Sequence, residues 1–196
     1  MPPDTHPRRA DAQRSFDSIL EAAVDALAGD PEASMAEIAR RAGVVRATIY
    51  VHFSTREALI AAVTDRAVAE VTEAITATDP TRGAAADALQ RVVAAAWRKL
   101  GRFHALVEVN ARLPHARLHE MHRPVLAVLQ PLVERGQRDG SFRADVPATW
   151  HLSMLLALVH AASGELSAGR IPAAQVEAAL LASVLGALCG PGELGR

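Results

Sequence analysis

Apolar residues recur at three- and four-residue spacing along nearly the whole chain, and no stretch alternates with period two for long, so the pattern predicts an all-α fold. The first predicted helix spans about 14–27, with Phe16, Ile19, Ala23 and Leu27 on one stripe and Gly29-Asp30-Pro31 ending it. Two short helices follow. Ser34 with Glu37, and Ser54 with Glu57, have the spacing of capping boxes, the second opening a long connecting helix over 54–77. The sharpest break, Asp79-Pro80-Thr81-Arg82-Gly83, is the expected joint before a larger C-terminal part. Five further helices are expected at about 84–100, 102–112, 123–138, 148–168 and 172–189, about nine in all. The domain reading is a flexible arm over 1–13, a three-helix domain over 14–58, and a larger helical domain over 59–196.

The last two helices are unusual. From residue 150 to 190 only Glu165, Arg170 and Glu177 are charged, and a helix apolar all round is buried on both sides. Leu152, Leu155, Leu156 and Val159 line one face of the first, with Trp150, Met154, Ala157 and Ala161 opposite. In the second, Val176, Leu180, Val184 and Leu188 are backed by Leu181 and Leu185, and Ala182, Ser183 and Gly186 permit close approach. One face serves the chain's own core, and a two-fold partner is the economical cover for the other. The expected homodimer interface is Leu152, Leu155, Leu156, Val159, Leu181 and Leu185, with Trp150 and Met154 facing inward.

Composition narrows the location. The N-terminus, MPPDTHPRRADAQRS, lacks the apolar core of a signal peptide, and the longest apolar stretch, 178–189, is too short to cross a bilayer. A cytoplasmic protein with no membrane partner is expected. The single cysteine, Cys189, cannot pair internally and argues against a Cys-based metal cage. The net charge of −1 hides a local patch: four arginines (Arg40, Arg41, Arg46, Arg56) and no carboxylate lie within 40–56. Arg8 and Arg9 in the N-terminal arm are nearly cancelled by Asp4 and Asp11, which favours a solvated tail over a groove-binding arm.

Residues 34–53, SMAEIARRAGVVRATIYVHF, meet the steric demands of a helix-turn-helix. Ile38 and Ala39 point inward, Gly43 stands where a left-handed turn is needed, and Val44, Ile49 and Phe53 fill the space between helices. Arg46, Ala47, Thr48 and Tyr50 are left on the outer side of a short helix, where a major groove could receive them. Arg46 can fork onto guanine, Ala47 and Thr48 can touch a thymine methyl, and Tyr50 and His52 can donate to phosphate. Arg56 falls in the first turn of the long helix, where free N–H groups also favour an anion.

The run GVVRATIYVHFSTREAL over 43–59 strongly resembles the signature of the tetracycline-repressor (TetR) family of bacterial regulators, specifically over about 14–76. Beyond that only the helix pattern and the segment GQRDGSFR over 136–143 look familiar. The resemblance implies base or backbone contacts at Arg46, Ala47, Thr48 and Tyr50, and phosphate contacts at His52 and Arg56. Val45 and Met35 complete the expected DNA-facing set. It further implies a four-helix dimer interface, a palindromic double-stranded operator, and repression relieved by a small molecule. Many relatives carry Ser or Thr where this chain has Val45, so the recognition helix lacks a side-chain cap, a loss of roughly 0.5–2 kcal/mol.

For the C-terminal part a binding role is expected rather than an enzyme, since no motif places an acid-base group beside a nucleophile. Trp97, on a stripe with Leu89 and Val93, joins Trp150 and Met154 as candidate walls for an apolar effector, with Glu108, Asn110 and His151 as polar anchors. The alternative is a metal-binding sensor or metal-dependent enzyme using His104, His115, His119 and His122. Pro114 and Pro124 bracket that segment and argue against one continuous helix, so no metal and no cofactor are expected.

Overall fold

The computed structural model describes residues 6–110 and 113–189. Among the described residues there are ten α-helices, one 3-10 turn and no strand, so the all-α expectation holds. The chain divides into two compact units, Met1–Arg66 and Ala67–Arg196.

The first unit holds α1 (His6–Gly29), α2 (Met35–Arg41), α3 (Arg46–His52) and the first half of α4 (Arg56–Thr76). Helix α1 starts earlier than its apolar stripe predicts, so the backbone of the expected arm is helical from His6; Pro7 is tolerated in a first turn because its missing N–H has no intrahelical partner there. The side chains of Arg8 and Arg9 lie outside the described residues. Ile19, Ala23, Leu27, Ile38, Ala39, Ile49, Phe53, Leu59 and Val63 are buried. The Ser18 hydroxyl donates to the Ala42 carbonyl at 2.9 Å, pinning α1 to the end of α2.

The second unit holds the rest of α4, then α5 (Ala85–Leu100), a 3-10 turn (Gly101–Phe103), α6 (His104–Asn110), α7 (His115–Met121), α8 (Arg123–Asp139), α9 (Ala148–Ser167) and α10 (Ala173–Leu188). The break at 79–83 is therefore a turn within this unit and not the joint between units. Val68, Val71 and Ile75 of α4 share one core with Leu89 and Val92 of α5, whereas Leu59 and Val63 lie on the other side of the division. Arg135 holds that turn, donating to the carbonyls of Pro80, Thr81 and Gly83 at 2.8–2.9 Å. Helices α7 and α8 are separated at His122, as the flanking prolines predict.

The segment 136–143 is a packing device. Gly140 ends α8 with φ 82°, a left-handed conformation suited to glycine. One turn earlier the Phe142 ring fills the space over Gly136, where an added Cβ would meet ring carbon at 2.1 Å. Gly136→Ala is expected to destabilise by about 1–3 kcal/mol through overpacking. Thermal unfolding followed by circular dichroism checks this, at roughly 2–4 °C per kcal/mol for a chain of this size; an unchanged midpoint would mean that the ring yields freely.

Candidate functional site

Helix α2 begins where the Ser34 hydroxyl accepts the Glu37 amide at 3.2 Å. The Glu37 carboxylate turns to Arg40 (2.6 and 3.0 Å) and Arg41 (2.8 Å) instead of completing a capping box. This shrinks the basic patch read from sequence, since one carboxylate faces two of its four arginines. These hydrogen bonds, Arg40 first and then Arg41, bring the Glu37 carboxyl down from 4.5 to about 2. A depressed carboxylate contributes stability that is present above its unfolded value and lost as pH falls through the folded one. Glu37→Gln is therefore expected to shallow the acid unfolding transition between pH 4.5 and about 2, followed by circular dichroism; an identical acid transition in the variant contradicts the assignment.

Gly43 makes the turn with φ 69°, and Val45 stands at the N-cap of α3 without a side-chain cap, as expected. Ile49 is fully buried and the Phe53 ring rests on Phe16 at 5.2 Å between centroids, so the opposite side of α3 faces outward. Arg46 and Ala47 are exposed, Tyr50 is 42% exposed, and Thr48 and His52 are half-buried. The Arg46 guanidinium lies over the Tyr50 ring, 5.7 Å from its centroid. His52 packs edge-on against Phe16. Val51, at 82% exposure, belongs to this surface and was missed; its spacing of one turn from Ala47 was the available signal.

One expected contact is corrected, and a second residue has partners within the chain. Met35 is buried, so its side chain faces the domain core and presents no surface to DNA. Arg56 is a loop clamp: its Nε donates to the Ala33 carbonyl at 3.3 Å and its Nη2 to the Pro31 carbonyl at 2.5 Å. The cap of α4 is Thr55, whose hydroxyl accepts the Ala58 amide at 3.1 Å, and not Ser54.

In the second unit the two faces of α9 are the reverse of those read from sequence. Leu152 and Leu155 are 4% exposed and belong to the chain's own core, with no surface left for a partner. Trp150, expected inward, is 62% exposed, and Ala157 and Ala161 on its side are exposed as well. Met154, Leu156 and Val159 are half-buried. On α10, Ala178, Ala182, Ser183 and Gly186 are exposed, flanked by half-buried Leu181 and Leu185. A broad surface of small and apolar side chains is thus open along both helices.

The expected effector residues are not brought together. Trp97 is buried, Trp150 is on the surface, Glu108 is exposed and Asn110 is buried. His151 is taken up by packing, its Nε2–H donating to the Arg143 carbonyl at 3.1 Å with the ring 1% exposed. What the fold brings together instead are two pairs, His104 with Ser163 and His122 with His160. The Trp97 and His104 rings are 4.6 Å apart, His104 Nδ1 is 3.1 Å from the Ser163 hydroxyl, and the His122 and His160 rings meet edge-on at 5.5 Å. Burial lowers the basicity of all three imidazoles. Sequence reading missed His160 and Ser163, although their i, i+3 spacing on an apolar helix was visible. The side chain of His115 lies outside the described residues, His119 is exposed, and among the described residues no three His, Cys, Asp or Glu gather closely enough to hold a metal ion. No described helix is long and apolar enough to cross a membrane.

Residues 19–63 match the family described as bacterial regulatory proteins, tetR family. No curated protein sequence matches the chain. Among solved structures, the TetR transcription regulatory protein from Mycobacterium vanbaalenii is 31% identical over 81% of this chain and 98% of its own, with a TM-score of 0.56. The TetR-like regulator LfrR from Mycobacterium smegmatis, solved with proflavine, is 24% identical over 91% of this chain and 98% of its own, with a TM-score of 0.70. FadR from Bacillus subtilis, solved with stearoyl-CoA, is 18% identical over 87% of this chain and 95% of its own, with a TM-score of 0.71. The protein is an all-helical, DNA-binding transcription regulator of the helix-turn-helix class. The chain belongs to the TetR family of bacterial regulators.

Proposed function

We propose that the protein is a homodimeric repressor that reads a palindromic operator with α3 and leaves it when a small, mainly apolar effector binds the second unit. The observation that carries the DNA reading is the outward face of α3, where Arg46, Ala47, Tyr50 and Val51 stand exposed behind a buried Ile49. Arg46 supplies the base-specific fork, Ala47 and Val51 apolar contacts to thymine methyls, and Tyr50 and His52 donors to phosphate. The dimer uses the open faces of α9 and α10, and its two-fold axis turns one recognition helix into a reader of inverted half-sites. Relatives solved with proflavine and with stearoyl-CoA support an effector with a large apolar body. Release requires that the effector prefer a conformation in which the recognition helices no longer fit successive grooves. Helix α4, shared by both units, is the natural lever. The experiment is selection from a random duplex library with the full chain, followed by gel shift. Enrichment of an inverted repeat is expected; the absence of any enriched sequence overturns the reading.

A further inference from the structure

The outward surface of α3 is divided into two ridges. At about 3.6 residues per turn, Ala47 and Val51 lie about 160° round the helix from buried Ile49, one in each sense, so together they form its crest. Both are exposed, Val51 at 82%. Arg46 and Tyr50 form the second ridge on one flank, where the guanidinium lies over the ring. The polar readers therefore stand to one side, and the crest itself is apolar. Among the described residues of the first unit, the large apolar side chains left exposed are Val45, Tyr50 and Val51, all on α3 or at its N-cap.

The crest offers no side-chain hydrogen bond. Neither Ala47 nor Val51 can donate to thymine O4 or accept from the cytosine N4 amine, so what those atoms encode passes unread there. The apolar group that the major groove displays is the C5 methyl of thymine. A cytosine methylated at C5 carries the same group at the same ring position and shows it in the same groove. Apolar contact alone thus separates methylated from unmethylated pyrimidines, whichever base carries the methyl.

We infer that the crest of α3 reads the pyrimidine C5 methyl itself, with Val51 as the residue that determines this specificity, so that 5-methylcytosine can stand in for thymine opposite Ala47 and Val51. The inference rests on the operator reading proposed above and names what this surface recognises in the half-site. Four residues rise about 6 Å along a helix and successive bases about 3.4 Å, so the crest spans about two base steps. A regulator that reads in this way responds to C5 methylation of a cytosine at those steps by binding the modified duplex more tightly.

Selection with the full chain supplies the duplex. Each thymine of its half-site is then replaced, symmetrically in both half-sites, by deoxyuridine opposite adenine and by cytosine or 5-methylcytosine opposite guanine. Gel-shift titration is expected to find at least one position where deoxyuridine weakens binding about threefold or more per half-site, roughly tenfold for the pair. At that position 5-methylcytosine is expected to bind more tightly than cytosine by a similar factor. Val51→Ala, at an exposed site, is expected to keep the helical circular dichroism and to reduce both methyl effects to below about twofold. Indifference to deoxyuridine at every thymine, equal binding of cytosine and 5-methylcytosine at the sensitive position, or undiminished methyl effects in Val51→Ala overturns the inference and leaves the operator reading standing. A selection that enriches no sequence overturns the operator reading, and the inference falls with it.

Discussion

Ala182→Arg is expected to convert the protein into a monomer. Ala182 is exposed at the middle of α10, and the neighbouring Gly186 faces open space, so an arginine here disturbs nothing within one chain. In a two-fold interface built on this face, each copy would bring a guanidinium into an apolar contact with no carboxylate opposite it. An unpaired buried charge costs about 3–5 kcal/mol, enough to weaken association more than a hundredfold. Sedimentation equilibrium at micromolar concentration reads the outcome, and far-ultraviolet circular dichroism confirms that the helices persist. Trp150→Ala, removing a large exposed aromatic from the same surface, should weaken the dimer by about 2 kcal/mol or more, as central aromatic residues do. A wild-type protein that sediments as a monomer, or an Ala182→Arg variant that remains dimeric, refutes the interface. Operator affinity should fall with the dimer, because a lone half-site contact loses its second copy.

Arg46→Ala is expected to carry the second large effect, this time on sequence discrimination. A bidentate contact to guanine is worth about 1–3 kcal/mol, and a dimer presents it twice. Gel-shift titration should therefore show roughly 30-fold to about 25,000-fold weaker operator binding if both half-sites are affected, with much less change on unrelated DNA. Tyr50 separates two contributions. Because the Arg46 guanidinium sits over its ring, Tyr50→Phe keeps the stacking surface and loses only the hydroxyl, whereas Tyr50→Ala loses both. The difference between the two variants measures how far the ring preorganises Arg46, about 0.5–1 kcal/mol per site for an exposed cation-π pair. Equal operator affinity in wild type, Arg46→Ala and Tyr50→Ala would remove α3 from the interface.

The sequence was most legible where local sterics leave one solution. Gly43 has to be left-handed, Ile49 and Phe53 have to be buried, and the side of α3 opposite them has to face out. Those constraints lie within about twenty residues, so spacing alone carries them. Arg56 shows where this stops. Its place in the first turn of α4 read as a phosphate site, but the carbonyls of Pro31 and Ala33, more than twenty residues away in the chain, reach its guanidinium first. Glu37 is similar: the spacing allowed a capping box, and the competition was settled by two arginines one turn on.

The sequence by itself determined the helical class, the helix-turn-helix, the family, and the fact that 150–190 carries too few charges for two ordinary surface helices. It did not determine which way those helices turn. A helix apolar on all sides has no preferred inward face by periodicity, so only packing against α6, α8 and α10 put Leu152 and Leu155 in the core and left Trp150 outside. The tertiary structure likewise decided that His104 of α6 meets Ser163 and that His122 at the α7–α8 junction meets His160, because nothing in the spacing along α9 specifies its contacts with other helices.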